Sequence, residues 1–461
     1  MRDVFPKSFP KELSMSHPNV CALIFVVASL FSLGANALGQ SREDKVRNDR
    51  LRVSKSGLWH YNDLDAGFEE ALRTNKPLMV VFRCIPCVEC VKLDDDLLEQ
   101  NDSVVESMRK FVRVRQISTN GIDLNRYQFD FDQSFSVMFF HPDGTLLGRF
   151  GTRSHHTEWE DDVSIAGLGA AMKQVLEWHS NFDSVRDSLA KKQSTNLTHI
   201  PVASPEKYPT LERFPPSFDL ANVTIKNCIH CHQVGEAQKS FALSESKTES
   251  LPMDLLFPYP HPKILGLILD VDTCATVKEV VADSIAHRAG FKAGDKIVRF
   301  DDQPIISLAD LQWVLHLKPN TAIAIPVTFL RDGKSTTVSL NLSDDWKASG
   351  DISWRASSWE LRRLVLGGMV LKELDESERQ KLGIADGAMA LGIGHVGQYA
   401  PHNRAKLAGL QKEDVVVSVL GKKNLTREVD IIRFLLNQRQ NVKQIPIEVL
   451  RAGKPMSFEL K

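Results

Sequence analysis

Neither sign of charge predominates in this 461-residue chain: 57 Lys and Arg stand against 58 Asp and Glu, a formal net charge of -1 at pH 7. Such a balance offers no broad basic field to hold a phosphate backbone, which argues against nucleic acid as a partner. Long apolar runs are nearly absent too. The longest, CALIFVVASLFSL from Cys21 to Leu33, is short for a bilayer span, and no later segment is apolar enough to cross a membrane. It follows a basic-leaning lead (Arg2, Lys7, Lys11) and precedes Ala35-Asn36-Ala37, the three-part pattern of a signal peptide over residues 1–37. Cleavage is expected after Ala37, Met15 is an alternative start, and an uncleaved anchor is the competing reading. Cys21 opens the run instead of marking a cleavage site, so a lipoprotein anchor is not indicated.

Cysteine is scarce, with seven in all. Export places the six beyond the leader (Cys84, Cys87, Cys90, Cys228, Cys231 and Cys274) where thiols oxidise. A structural framework would scatter them. Five of the six instead fall into two tight groups, which points to chemistry. The length predicts about three or four domains.

From about Trp59 to Lys192 helical and strand patterns alternate. DLDAGFEEALRTN is amphipathic, PLMVVF is a buried-type strand, and KLDDDLLEQNDSVVESM is helical. FVRVRQIS is a strand, SFSVMFFHPDGTLLGRFG a hairpin turning at Pro142-Asp143-Gly144, and VSIAGLGAAMKQVLEWHSNF a closing helix. Helices flanking a mixed sheet follow. The order of strand, cysteine cluster, helix, strand, hairpin and helix resembles a thioredoxin-like domain over residues 55–192. In that family a strand ending in Phe leads to CxxC at a helix start, and the register from Phe82 implies Cys87 and Cys90 as the redox pair. The competing pair is CIPC, Cys84 and Cys87, with Pro86 before its second cysteine; a copper or iron-sulfur site using all three is a third reading. Dithiol exchange needs a thiolate at a helix N-terminus and a resolving thiol one turn on. Three departures argue against efficient turnover. Pro86 stands where the family has Trp, Val81 where it has a buried Asp, and Phe135-Ser136 immediately before VMFF where it has a cis-proline. Glu89 adds a negative charge that disfavours a thiolate.

Residues 193–227 are rich in Pro, Ser and Thr with little periodicity and read as a linker. The next segment, 228–262, opens with CIHCH. Two thiols and an adjacent histidine at this spacing suit covalent haem: Cys228 and Cys231 add to the vinyl groups and His232 supplies the proximal nitrogen to iron. Met253 and His261 are the candidate sixth ligands. A disulfide, or zinc held by both thiolates with His230 or His232, competes. His155-His156 lies in a charge-rich stretch and reads as a solvated loop.

From Lys263 onward the chain repeats itself. IAHRAGFKAGDKIV answers RAKLAGLQKEDVVV, DLQWVLHL at Asp310 answers DIIRFLLN at Asp430, and VTFLRDGKSTTVSL answers IEVLRAGKPMSFEL. Two long copies suit sibling domains, not a solenoid. Each resembles a bacterial PDZ domain, over 263–345 and 361–461, with an insertion early in the second. The resemblance implies partly open β-barrels that take C-terminal or extended peptides of exported proteins as an added strand. Glycine-containing loops at Leu265-Gly266-Leu267 and Gly367-Gly368-Met369 would capture the carboxylate, and helices from Ser307 and Arg427 would line the grooves. The alternative is that one or both copies pack on neighbouring domains. No GxSGG nucleophile loop occurs, so a serine protease is not indicated. The sequence thus predicts a multidomain α/β and mainly-β protein of a bacterial periplasm or envelope. It joins a divergent dithiol site, haem c (zinc as the alternative) and two peptide grooves. The rival expectation is a non-enzymatic scaffold with structural or metal-binding cysteines.

Overall fold

The computed structural model describes residues 41–83, 85, 102–133, 135–152, 163–194, 201–221, 225–245 and 251–461. The leader, Cys84, Cys87, Cys90 and His155-His156 lie outside the described residues.

A five-stranded mixed sheet forms the first domain. Its strands β1 (His60–Tyr61), β2 (Leu78–Arg83), β3 (Val112–Gln116), β4 (Phe135–Phe140) and β5 (Leu146–Thr152) lie in the order β1-β3-β2-β4-β5. β2 and β3 are parallel, whereas β4 and β5 run antiparallel as a hairpin through Gly144, at φ 92°. β2 is buried along its whole length, which is why LMVVF reads as an unbroken apolar run without alternation. Helix α1 (Arg42–Ser56) precedes the sheet. Helix α2 (Leu64–Thr74) starts at Asp63, whose carboxylate accepts from Ala66 N at 3.0 Å, and ends at Asn75 in the left-handed region.

Both faces of the sheet are covered. Helix α3 (Ile165–Ser180) brings Leu168, Met172 and Val175 against Met79, Val81 and Val137 on one face. On the other, Phe68 of α2 meets Phe82, Val114 and Met138. Tyr208, Leu211 and Phe214, from the stretch expected to be a linker, pack here too. So do Ile229, Val234 and Ala237 around helix α4 (Cys231–Glu245). Burying each large side chain is worth about 1.5–3 kcal/mol, enough to draw an aperiodic segment onto the sheet. Residues 201–221 and 225–241 therefore contribute to the first domain's core.

The two repeat copies share one meander. The first runs β6 (Leu267–Asp270), β7 (Thr276–Val280), β8 (Lys296–Phe300), β9 (Gln303–Pro304), β10 (Ile323–Arg331) and β11 (Lys334–Leu342), in the order β11-β10-β8-β7-β6 with β9 paired to β8. The second is β12 (Met369–Glu373), β13 (Leu391–Val396), β14 (Val415–Val419), β15 (Ile445–Arg451) and β16 (Lys454–Leu460), paired in chain order. The internal likeness extends to single atoms. Arg331 donates to Asp295 at 2.6 Å and to Gly290 O at 2.9 Å, and Asp295 accepts from Lys292 N. Arg451 donates to Asp414 at 2.7 Å and to Gly409 O at 2.8 Å, and Asp414 accepts from Gln411 N. The repeated Asp and Arg of the sequence thus form the same clasp twice.

In the first copy, helix α5 (Leu308–Leu317) is buried continuously from Ala309 to His316. Leu311, Val314 and Leu315 enter its own core, while Trp313 enters the core of the first domain. Asp310 accepts from Lys192 Nζ at 2.6 Å and from Arg149 N at 3.1 Å, and Ser307 Oγ donates to Arg149 O. The Arg149 guanidinium lies over the Trp313 ring, and burial pulls it down to about 10. At Gly148 a Cβ would sit 2.2 Å from Ile306 Cδ1, so only glycine lets Ile306 seat there. The helix expected to line a peptide groove is thereby enclosed by the first domain.

Removing one partner of a buried ion pair leaves the others charged and unsolvated. Asp310→Ala is expected to cost about 3–5 kcal/mol in urea unfolding, whereas Asp302→Ala, which removes the exposed pair with Lys191, should cost about 0–1 kcal/mol.

Candidate functional site

The CIHCH segment is fixed from below by one buried amide. Asn120 Oδ1 accepts from Ile229 N at 2.8 Å, and its Nδ2 donates to Asn227 O at 2.9 Å and Pro215 O at 2.7 Å. Thr119 N and Oγ1 both donate to Ile229 O. Two chain segments, at Pro215 and at Asn227–Ile229, are thus tied to the loop that follows β3, and Ile229 is driven into the core.

Cys228 is buried, and its Sγ donates to Ile117 O at 3.8 Å. It shares an apolar cluster with Val46, Ile85, Ile117 and Phe218. Ile85 and Ile117 lie just beyond the carboxyl ends of the parallel strands β2 and β3, the end of an open α/β sheet where sites form. Ile85 is also the residue between Cys84 and Pro86. The fold therefore brings Ile85 to the cluster that holds Cys228.

Beside this cluster, Arg115 donates to Asp49 at 2.6 and 2.9 Å, Arg83 lies 3.6 Å from the same carboxylate, and Tyr61 OH donates to it at 2.7 Å. Burial alone would raise the Asp49 carboxyl, but Arg115 and its hydrogen bonds hold it below the usual range. Two guanidiniums, those of Arg115 and Arg83, thus face the Asp49 carboxylate at this end of the sheet. Val81, where the thioredoxin family has a buried acid, packs among Met79 and Val137.

Cys231 and His232 open α4. Cys231 is half-buried against the core, and His232 Nδ1 lies 3.0 Å from Glu236 Oε1 one turn along. The His230 and His232 rings lie parallel, 6.0 Å apart. Burial and then His232 push His230 down to about 4, so it is neutral at pH 7. Burial would lower His232, but Glu236 and Asp132 outweigh it and raise it. Glu236 engages Nδ1, the kind of second contact by which a carboxylate orients an imidazole. Met253 packs against the core of the second copy, and His261 Nδ1 accepts from Lys263 N at the turn over 262–265. Among the described residues no three His, Cys, Asp or Glu side chains gather to hold a metal ion.

Behind His232 lies a network that sequence reasoning missed. Arg355 Nη1 donates to Asp130 at 2.8 Å and Asp132 at 3.1 Å. Ser357 N and Oγ both donate to Asp132, at 2.8 and 2.7 Å, and Lys239 Nζ of α4 donates to Ser357 Oγ. All five side chains are buried. Burial alone would raise Asp132, yet Lys239 and Arg355 lower it, whereas for Asp130 burial prevails and its carboxyl is raised. The signal was present in YQFDFDQSF, two acids inside an aromatic run that must find buried cations.

The glycine loops of the two copies take up left-handed backbone. Gly266 has φ 84°, and a Cβ there would sit 2.1 Å from Ser284 Oγ; Gly367 and Gly368 have φ 61° and 86°. Their amides are already engaged: Gly266 N donates to Lys263 O, and Gly368 N to Arg362 O. Leu265, Leu267 and Met369 are core residues. A cleft lined by Trp354, Trp359, Val370, Lys372, His395 and Arg427 runs along β12.

Comparison with known proteins agrees with this architecture. Residues 59–142 match a family model described as thioredoxin-like, and residues 264–342 one described as a PDZ domain. A probable periplasmic serine endoprotease DegP-like of Marinomonas sp. (strain MWYL1) is 28% identical over 197 residues, 42% of this chain and 38% of the relative. A probable periplasmic serine protease do/HhoA-like of Haemophilus influenzae is 32% identical over 199 residues, 40% of this chain and 38% of the relative. The periplasmic pH-dependent serine endoprotease DegQ of Escherichia coli (strain K12) is 32% identical over 152 residues, 33% of this chain and 29% of the relative. A crystal structure of the serine endoprotease from Yersinia pestis aligns over 15% of this chain and 25% of its own at 30% identity and a TM-score of 0.14, too little of the fold to carry an argument. The chain thus spans 38% of the length of the first two relatives. It carries a thioredoxin-like domain and a PDZ domain, and its relatives are periplasmic proteins.

Proposed function

We propose that this chain is an exported bacterial redox protein that docks on a partner through PDZ-type grooves, the second repeat copy being a second such domain. The observation that carries the reading is the apolar cluster shared by Ile85 and Cys228 at the carboxyl ends of β2 and β3. The relatives' periplasmic names support export. Their proteolysis is not carried over, because the chain spans only 38% of them.

In the thiol step, the Cys87 thiolate attacks one sulfur of a partner disulfide and displaces the other as a thiolate. Cys90, deprotonated, then attacks the mixed disulfide, which leaves the partner as a dithiol and Cys87–Cys90 oxidised; Cys84 is an extra thiol for resolution. Cys228 and Cys231 would hold a c-type haem through thioether bonds, His232 would supply a nitrogen to its iron, and Met253 or His261 would be the candidate second protein ligand. When bound, the haem supplies one-electron transfer. Glu236 orients His232, and Asn120 fixes the backbone at Ile229. The groove residues for docking are Gly367, Gly368 and Met369 in the second copy; the corresponding Leu265, Gly266 and Leu267 of the first copy serve a groove whose helix is enclosed by the first domain.

A second reading, a scaffold without turnover, draws on Val81 in the apolar core where a buried acid would stand. Two measurements decide between them. Produced in an exporting host with haem-attachment machinery, the protein should show a covalent haem absorption band that is lost in Cys231→Ser and shifted or lost in His232→Ala; a colourless wild type refutes haem. Insulin disulfide reduction should fall at least about tenfold in Cys87→Ser, and equal rates for variant and wild type establish the scaffold.

A further inference from the structure

In the second copy a peptide strand would add to the free edge of β12, opposite helix α7 (Glu428–Gln438). The chain already occupies part of that place, beside the cleft lined by Trp359, Val370 and Arg427. Helix α6 (Ser358–Val365) touches both α7 and β12, and its Leu361 and Val365 are buried in the module's core. Leu371 N, on β12, donates to Glu428 Oε1 at 2.8 Å, so an edge amide that an added strand would use is taken. Arg362 of α6 holds that carboxylate in a buried fork, with Nη2 to Oε2 at 2.6 Å and Nε to Oε1 at 3.0 Å. The same residue's carbonyl accepts from Gly368 N, the loop amide expected to meet a terminal carboxylate.

The other end of α6 is anchored in the first domain. Ser357 immediately precedes the helix and gives both its amide and its hydroxyl to Asp132. Arg355, two residues earlier, bridges Asp130 and Asp132. Those carboxylates end the loop over residues 117–133, whose start holds Ile229 through Asn120. A helix of two turns cannot leave the groove without pulling on Ser357.

We infer that α6 is a built-in occupant of the second copy's groove, and that its displacement by a docking peptide loosens the 117–133 loop beneath the cysteine-histidine segment. The inference rests on the docking reading above only for what displaces the helix. Two arrangements follow: α6 seated with the loop clamped, and α6 released with the edge of β12 open. A peptide binds only the second, so its apparent affinity is reduced by the fraction of molecules closed, and binding shifts that fraction.

Hydrogen exchange followed by mass spectrometry on the full chain tests this without peptide or haem, so failure of the docking or redox reading is a separate result. Glu428→Gln weakens the fork, and Glu428→Gln with Arg362→Met removes it without stranding a buried charge. Both are expected to quicken exchange at residues 369–373 and also at 117–133, by at least about tenfold. Arg451→Ala, which breaks the clasp to Asp414 away from α6, should quicken 445–460 and leave 117–133 unchanged. The proposal is overturned if 117–133 stays at the wild-type rate in the double variant, or if it responds equally to Arg451→Ala.

Discussion

Two buried carboxylates, Asp130 and Asp132, fix how the parts of this molecule sit together. They lie just before β4, and the charges and donors that face them come from elsewhere: Arg355 and Ser357 from the connector between the repeat copies, and Lys239 from α4, whose charge acts on Asp132. Taking two carboxylates and two cations out of water is costly, and the attraction recovers that cost only in one geometry. Such a network adds little net stability but tolerates no slippage. With α6 seated, the cysteine-histidine segment, the connector and the first sheet therefore hold one mutual position.

The elements legible in the sequence are those with a local cause. The unbroken apolar run LMVVF becomes a strand buried on both faces, and Pro142-Asp143-Gly144 turns the β4–β5 hairpin. The repeat appears down to the Asp295–Arg331 and Asp414–Arg451 clasps. What was not legible depends on distant pairing. Tyr208, Leu211 and Phe214 have no helical or strand period, so nothing local shows that residues 201–221 lie on the first sheet. The partners of Asp132 are 225 positions away in Ser357. The motif CIHCH was legible, but its meeting with Ile85 was not, because that contact is made by the sheet and by neither segment alone.

One fold serves two purposes in the repeat copies. In the first, α5 is enclosed against the neighbouring domain; in the second, α7 faces the chain's own α6. The first turns of the two helices nonetheless act alike. Asp310 accepts an amide of β5, and Glu428 accepts an amide of β12. Each places a carboxylate where a further strand would bring a carbonyl.

That substitution has a consequence for the first sheet. β5 is an edge strand, and an edge of seven residues with free amides and carbonyls is a template for pairing with another molecule. Ser307 and Asp310 satisfy Arg149 at its carbonyl and its amide, and α5 lies along the strand. The joint between the two domains is therefore also a guard against intermolecular sheet growth. A piece of the chain cut between them would bare that edge and trade a folded domain for an aggregating one.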